Sequence, residues 1–143
     1  MRKLFPLAMA ICAALPARAA PSCKGISVTP LAFGSYDVYG PSPLDSAGTI
    51  SYSCPPPALP TVTIDQGLSF GNGRRRMALG VGSDFLEYEV YVDAARTTVW
   101  PSANAVSVPQ GNGSSVPFYG RVFALQDVSV GSYTDTLVVT FNF

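Results

Sequence analysis

The chain has 143 residues, with nine basic and nine acidic side chains and no histidine. Without histidine the commonest general base and the commonest metal ligand are missing, so no Ser-His-Asp or Cys-His arrangement can be assembled. The balanced charge provides no basic face of the kind that phosphate backbones require, and nucleic acid is not expected as a partner.

At the N-terminus, Arg2 and Lys3 precede an uncharged apolar stretch from Leu4 to Leu15, broken by Pro16 and followed by Ala17-Arg18-Ala19. A short basic region, an apolar core and a small-x-small tripeptide are the layout of a secretory signal peptide. The apolar run is too short for a bilayer span of about 20 residues. Neither Cys12, after Ile11, nor Cys23, after Ser22, sits in a lipobox. The expected organisation is a leader over 1–19 and one domain over 20–143. Loss of Arg2, Lys3 and Arg18 leaves six basic against nine acidic side chains. No second long apolar segment follows, so no membrane insertion is expected.

Cys23 and Cys54 remain after cleavage. In an exported chain an even pair reads as one disulfide; the alternative is two buried free thiols. A closed loop of about 30 residues contributes about 3–4 kcal/mol under the chain-entropy description. With these cysteines committed, a thiolate nucleophile or a zinc cluster is not expected, and no cofactor motif is present.

Period-two alternation dominates the rest. Ile26 and Val28 alternate with Ser27 and Thr29. Ile50, Tyr52 and Cys54 alternate with Ser51 and Ser53, and Val62 and Ile64 with Thr61 and Thr63. Leu86, Tyr88 and Val90 share a face opposite Glu87 and Glu89. Val116, Phe118 and Val122 alternate within one segment. Leu137, Val139, Phe141 and Phe143 alternate with Val138, Thr140 and Asn142. This is the pattern of half-buried antiparallel strands. Six strands are expected near 25–33, 47–54, 61–66, 84–93, 115–125 and 134–143, with a further short piece near 97–108. Turn chemistry at 40–43, 54–60, 67–73 and 110–115 separates them, and a β-sandwich follows. The strongest strand is the last one, with nothing after it to cover its edge. An open apolar edge invites another chain to pair; an undetected seventh strand, or an interior position for the last, is the other reading.

Candidate chemistry is sparse. Glu87 and Glu89 could form a glycosidase pair, but the plainer reading is a solvated outer face. Asp135 reads as a structural turn or strand-start carboxylate. Arg74, Arg75 and Arg76 follow Gly71-Asn72-Gly73 and form a candidate anion-binding loop; a solvated loop is the plainer reading. Gly71-Asn72-Gly73 lacks nucleotide-motif spacing. Trp100 and Tyr39 could stack on a sugar, although a lone Trp after a strand is more often core.

Taken together, Cys23, 31–40 (LAFGSYDVYG), 48–54 (GTISYSC), 75–77 (RRM), 86–93 (LEYEVYVD), 116–122 (VPFYGRV) and 131–143 (GSYTDTLVVTFNF) resemble the spore coat protein U domain family, which includes subunits of archaic chaperone–usher pili. The resemblance implies an incomplete immunoglobulin-like antiparallel β-sandwich of about six to seven strands that lacks its last strand. It implies a secreted structural or adhesive subunit of a pilus or surface coat, not an enzyme. Its implied partners are a periplasmic chaperone, an outer-membrane usher and a neighbouring subunit that donates a strand, with a surface or glycan ligand as a further candidate. Leu137, Val139, Phe141 and Phe143 would lie beside the groove and pair with chaperone or donor, and the family disulfide maps onto Cys23 and Cys54. The sequence departs from the pilin pattern at one point. After cleavage only Ala20, Pro21 and Ser22 precede Cys23, whereas a donor segment needs about ten residues at about 3.3 Å each. The expectation is a chain that accepts a strand without donating one, placed at a fibre tip or in a coat. The alternative is a free-standing secreted carbohydrate- or surface-binding β-sandwich.

Overall fold

The computed structural model describes residue 20 and residues 22–143; the expected leader lies outside the described residues. The described residues carry strands and no helix. In chain order they are β1 (Lys24–Thr29), β2 (Leu44–Cys54), β3 (Thr61–Ile64), β4 (Arg75–Leu79), β5 (Phe85–Tyr91), β6 (Val106–Ser107), β7 (Gly111–Val122), β8 (Tyr133–Thr134) and β9 (Val139–Asn142). Every pairing is antiparallel. One sheet has the order β1-β2-β7-β5-β4-β8, and the other has the order β6-β3-β9. This is an all-β, immunoglobulin-like sandwich.

The alternation read from the sequence explains the core. Ile50, Tyr52 and Cys54 from β2, Leu86, Tyr88 and Val90 from β5, and Phe118 and Val122 from β7 are buried against Val62 and Ile64 of β3. Trp100 is fully buried in the same cluster, in keeping with its reading as a core residue. Its amide donates to the Val90 carbonyl at 2.8 Å, which fixes the segment after β5 to the end of that strand. Cys23 and Cys54 are joined by a disulfide across 31 residues, tying the start of β1 to the end of β2.

The last expected strand, near 134–143, is split into β8 in the large sheet and β9 in the small one, and three further details differ from the sequence expectation. The first strand ends at Thr29, not near 33, because Pro30 cannot continue the ladder. The polar run 110–115, expected as a loop, lies largely in β7: β2 carries the ladder to Cys54 opposite Gly111, and Ser53 meets the Asn112 side chain at 3.0 Å. The third is a strand, β4, inside the arginine run. Arg75 and Met77 alternate onto its buried face, opposite Tyr88 and Leu86 of β5.

Arg75 is only 2% exposed. Its Nε donates to the Asp65 carbonyl at 2.8 Å and its Nη2 to the Ile64 carbonyl at 2.9 Å. Its Nη1 pairs with the Glu89 carboxylate. The guanidinium therefore clamps the end of β3 in one sheet to β4 and β5 in the other. Glu89 is not on the solvated face expected for it. Strand β4 starts opposite Tyr88, so the Glu89 carboxylate can turn in to Arg75 and accept the Val90 amide at 2.9 Å. A buried ion pair is tolerated when such further hydrogen bonds satisfy both charges.

Candidate functional site

The two sheets leave one side open. Strand β1 is the edge of the large sheet and β9 the edge of the small one, and among the described residues no pairing joins them. Between them runs a groove of about 260 Å³. One wall is Val28, Pro30, Leu31 and Phe33. The other is Tyr133, Thr134, Asp135, Leu137 and Val139, over a floor of Ile64, Met77, Tyr88 and Phe118. The large sheet curls so that both of its edges, β1 and β8, reach this groove. A second hollow of about 590 Å³ continues it past Leu31, Phe33 and Tyr133 toward Val128 and Val130.

The walls are positioned locally. Past Pro30 the chain leaves the ladder and lays Leu31 and Phe33 across β7 at Gly120. A Cβ at Gly120 would come within 2.7 Å of both side chains, so this approach requires glycine. Phe33 meets Tyr88 edge to face at 5.9 Å. On the other wall the Asp135 carboxylate is held by three donors. The Leu68 and Thr136 amides reach Oδ1 at 2.8 and 2.9 Å, and the Tyr88 hydroxyl reaches Oδ2 at 2.7 Å. Gly67, at φ +74°, lies directly beneath this carboxylate, and a side chain there would collide with it. Burial, then the hydrogen bond to Asp135, pushes the Tyr88 phenol well above its ordinary range, so the phenol stays protonated and donates.

Backbone polarity at the β9 edge follows from its register with β3, Thr63 opposite Thr140 and Ile64 opposite Val139. The Asp65 amide donates to the Val138 carbonyl at 3.1 Å. In an antiparallel ladder successive residues turn their backbone groups to opposite sides. The N–H and C=O groups of Val139 and Phe141 therefore point away from β3, into the open side. The apolar side chains of β1 remain uncovered as well: all six of its residues are exposed, with Ile26 at 44% and Val28 at 42%.

The structure brings some of the expected site residues together and separates others. Leu137 and Val139 line the groove. Phe141 packs on Tyr52 with ring centres 4.8 Å apart, and Phe143 is more than half exposed beside it, 6.3 Å away ring to ring. The three side chains of the arginine run take separate partners. Arg75 is buried as described. Arg74 pairs with Glu87 at 3.1 Å over the Phe123 ring. Arg76 donates to the Ser69 carbonyl at 2.7 Å and lies over the Phe85 ring. Successive residues along a strand point to opposite faces, so three consecutive guanidinium groups do not share one pocket here. Val28, Phe33, Tyr88 and Asp135 are groove residues that sequence reasoning did not name as a site. The alternation of Ile26 and Val28 was the available signal for the first wall. Among the described residues no cluster of three or more metal-ligating side chains occurs, and no helix is long and apolar enough to cross a membrane.

Comparison with known proteins fits this architecture. The Spore Coat Protein U domain matches residues 8–140. Protein U of Myxococcus xanthus is 33% identical over 130 residues, covering 79% of this chain and 71% of that protein. Among solved structures, a chain of the CsuC–CsuE chaperone–tip adhesion subunit pre-assembly complex, from the archaic chaperone–usher Csu pili of Acinetobacter baumannii, superposes with a TM-score of 0.64 at 22% identity. That match covers 87% of this chain and 40% of the solved one; at such identity the likeness speaks to the fold. With the match to the domain over nearly its whole length and the similarity to Protein U, this chain belongs to the Spore Coat Protein U domain family.

Proposed function

We propose that the chain is an exported structural or adhesive subunit of a chaperone–usher-assembled pilus or surface coat, completed by a strand from another protein. The observation that carries this reading is the groove between β1 and β9, apolar in its walls and edged by free backbone groups of β9. An added strand would hydrogen-bond to Val139 and Phe141 and bury alternate side chains between the sheets, the two components of strand-addition recognition. On this reading a periplasmic chaperone supplies the strand first, and a neighbouring subunit replaces it at an outer-membrane usher. The solved neighbour, a chain from a chaperone–subunit complex, supports the same assignment by fold. The domain proposed to be exported starts at 20, after a leader over 1–19. Leu137, Val139, Phe141 and Phe143, on and beside β9, are the residues that would meet chaperone or donor.

The tip position is the finer part of the proposal. Cleavage after Ala19 would leave three residues ahead of Cys23, too few to span a groove that needs about ten. Such a subunit accepts a strand and donates none. The mass of the mature N-terminus tests this: a start at residue 20 or 21 supports it, and a long apolar extension ahead of Cys23 contradicts it.

The test of the function itself is export with and without a co-produced pilus chaperone. The proposal predicts that the chain alone is less stable and aggregates as it accumulates, and that the chaperone holds it in a soluble one-to-one complex. A monomer that is as stable without any partner as with one would contradict it, and would favour a free-standing carbohydrate- or surface-binding module.

A further inference from the structure

The groove is apolar along most of its length, yet it contains one fixed polar point. We propose that the Tyr88–Asp135 pair reads a single residue of the incoming strand and selects a hydroxyl or another hydrogen-bond donor at that position. The inference rests on the strand-accepting reading above.

Asp135 lines the groove between Thr134 and Leu137. Among the described residues its Oδ1 already takes two backbone amides, whereas its Oδ2 takes only the Tyr88 hydroxyl. A carboxylate oxygen can accept two hydrogen bonds, and a phenol oxygen that donates can still accept one. The pair therefore presents unfilled acceptor capacity and no free proton. A strand seated in the groove removes water from this point, and covering a carboxylate with an aliphatic side chain leaves that capacity unfilled at a cost. A Thr or Ser hydroxyl fills it. An Asp or Glu meets a like charge. Elsewhere along the groove, Val28, Leu31, Phe33, Met77 and Phe118 favour aliphatic side chains, so the polar point also fixes the register in which the strand slides home.

The test uses the secreted chain and synthetic alternating apolar peptides of about ten residues, long enough to span a groove at about 3.3 Å per residue. Each inward position in turn carries Thr, Val or Asp, and affinity is read by fluorescence anisotropy. At one inward position Thr is expected to bind about tenfold tighter than its isostere Val, with Asp weakest; at the others Val equals or exceeds Thr. In the Asp135→Asn variant the Asp-bearing peptide is expected to gain about tenfold relative to Val at that one position. Equal Thr and Val affinities at every position would overturn the inference while leaving strand acceptance intact. A change in Asp135→Asn that is uniform over all positions would also overturn it. Failure of every peptide to bind would overturn strand acceptance itself.

Discussion

Strands β1 and β2 are hydrogen-bonded neighbours in one sheet, carry the same alternation, and end differently. Val28 lies opposite Ile50 and faces the same side of the sheet. Ile50 is fully buried, and Val28 is 42% exposed. The difference is not in either residue. Behind β2 stands β7 along its whole length, and across from it lies β3. Among the described residues the large sheet ends at β1 and the facing sheet stops at β9. An apolar alternation thus states which face a strand would bury, while the neighbours decide whether anything covers it. The closed side, clamped by Arg75 and Glu89, is a finished core; the open side has the same chemistry without its last layer.

Substitutions on the closed side should cost most. Removing one member of the buried pair, as in Glu89→Gln or Arg75→Met, strands the other charge and is expected to lower stability by about 3–5 kcal/mol in urea unfolding. A loss below about 1 kcal/mol would show that the clamp is not what joins the sheets. The disulfide comes next: Cys23→Ser with Cys54→Ser should cost about 3–4 kcal/mol, compared with the oxidised parent by the same measurement.

The third prediction sets the two neighbouring strands directly against each other. Ile50→Ala should destabilise the chain by about 2–5 kcal/mol. Val28→Ala should cost less than about 1 kcal/mol in the free chain, because much of Val28 is already in water. Once a strand is bound the Val28 cost should rise, since the groove then closes over it. Equal costs in the free chain would mean that the groove is closed in solution.

The smallest effect concerns the outer face of the large sheet. Asp45 pairs with Arg121 at 2.7 and 2.8 Å, and that contact holds its carboxyl below the usual range. A carboxyl lowered by folding stabilises above its unfolded value of about 3.9 and loses that contribution as pH falls through the folded value. Asp45→Asn should therefore flatten the acid side of the stability–pH curve below about pH 4, by at most about 0.5 kcal/mol for so exposed a pair. The groove binding constant should not change with it.

Much of this was legible in the chain. The paired cysteines, the faces of β2, β5 and β7, and the burial of Trp100 follow from period-two alternation and composition. The edge at β9 was legible because Leu137, Val139 and Phe141 form a strong face. What stayed hidden depends on neighbours distant in sequence. Arg75 reads as one of three charges in a loop, and only its register opposite Tyr88 turns it inward. Glu89 reads as solvated because nothing local announces Arg75. The groove wall at Phe33 needs Gly120, 87 positions away, to let it approach. Asp135 was legible as a structural carboxylate, but its place beside Tyr88 at the groove was not.

The central claim is that the open side of β9 takes a strand, and residue-resolved amide hydrogen exchange addresses it most directly. The amides of Val139 and Phe141 point into the groove, and those of Thr140 and Asn142 point to β3. With a saturating alternating apolar peptide bound, exchange at Val139 and Phe141 should slow by about a hundredfold or more while Thr140 and Asn142, already paired, change far less. Unchanged exchange at Val139 and Phe141 in the saturated complex, or new protection confined to another edge of the sheets, would contradict the account.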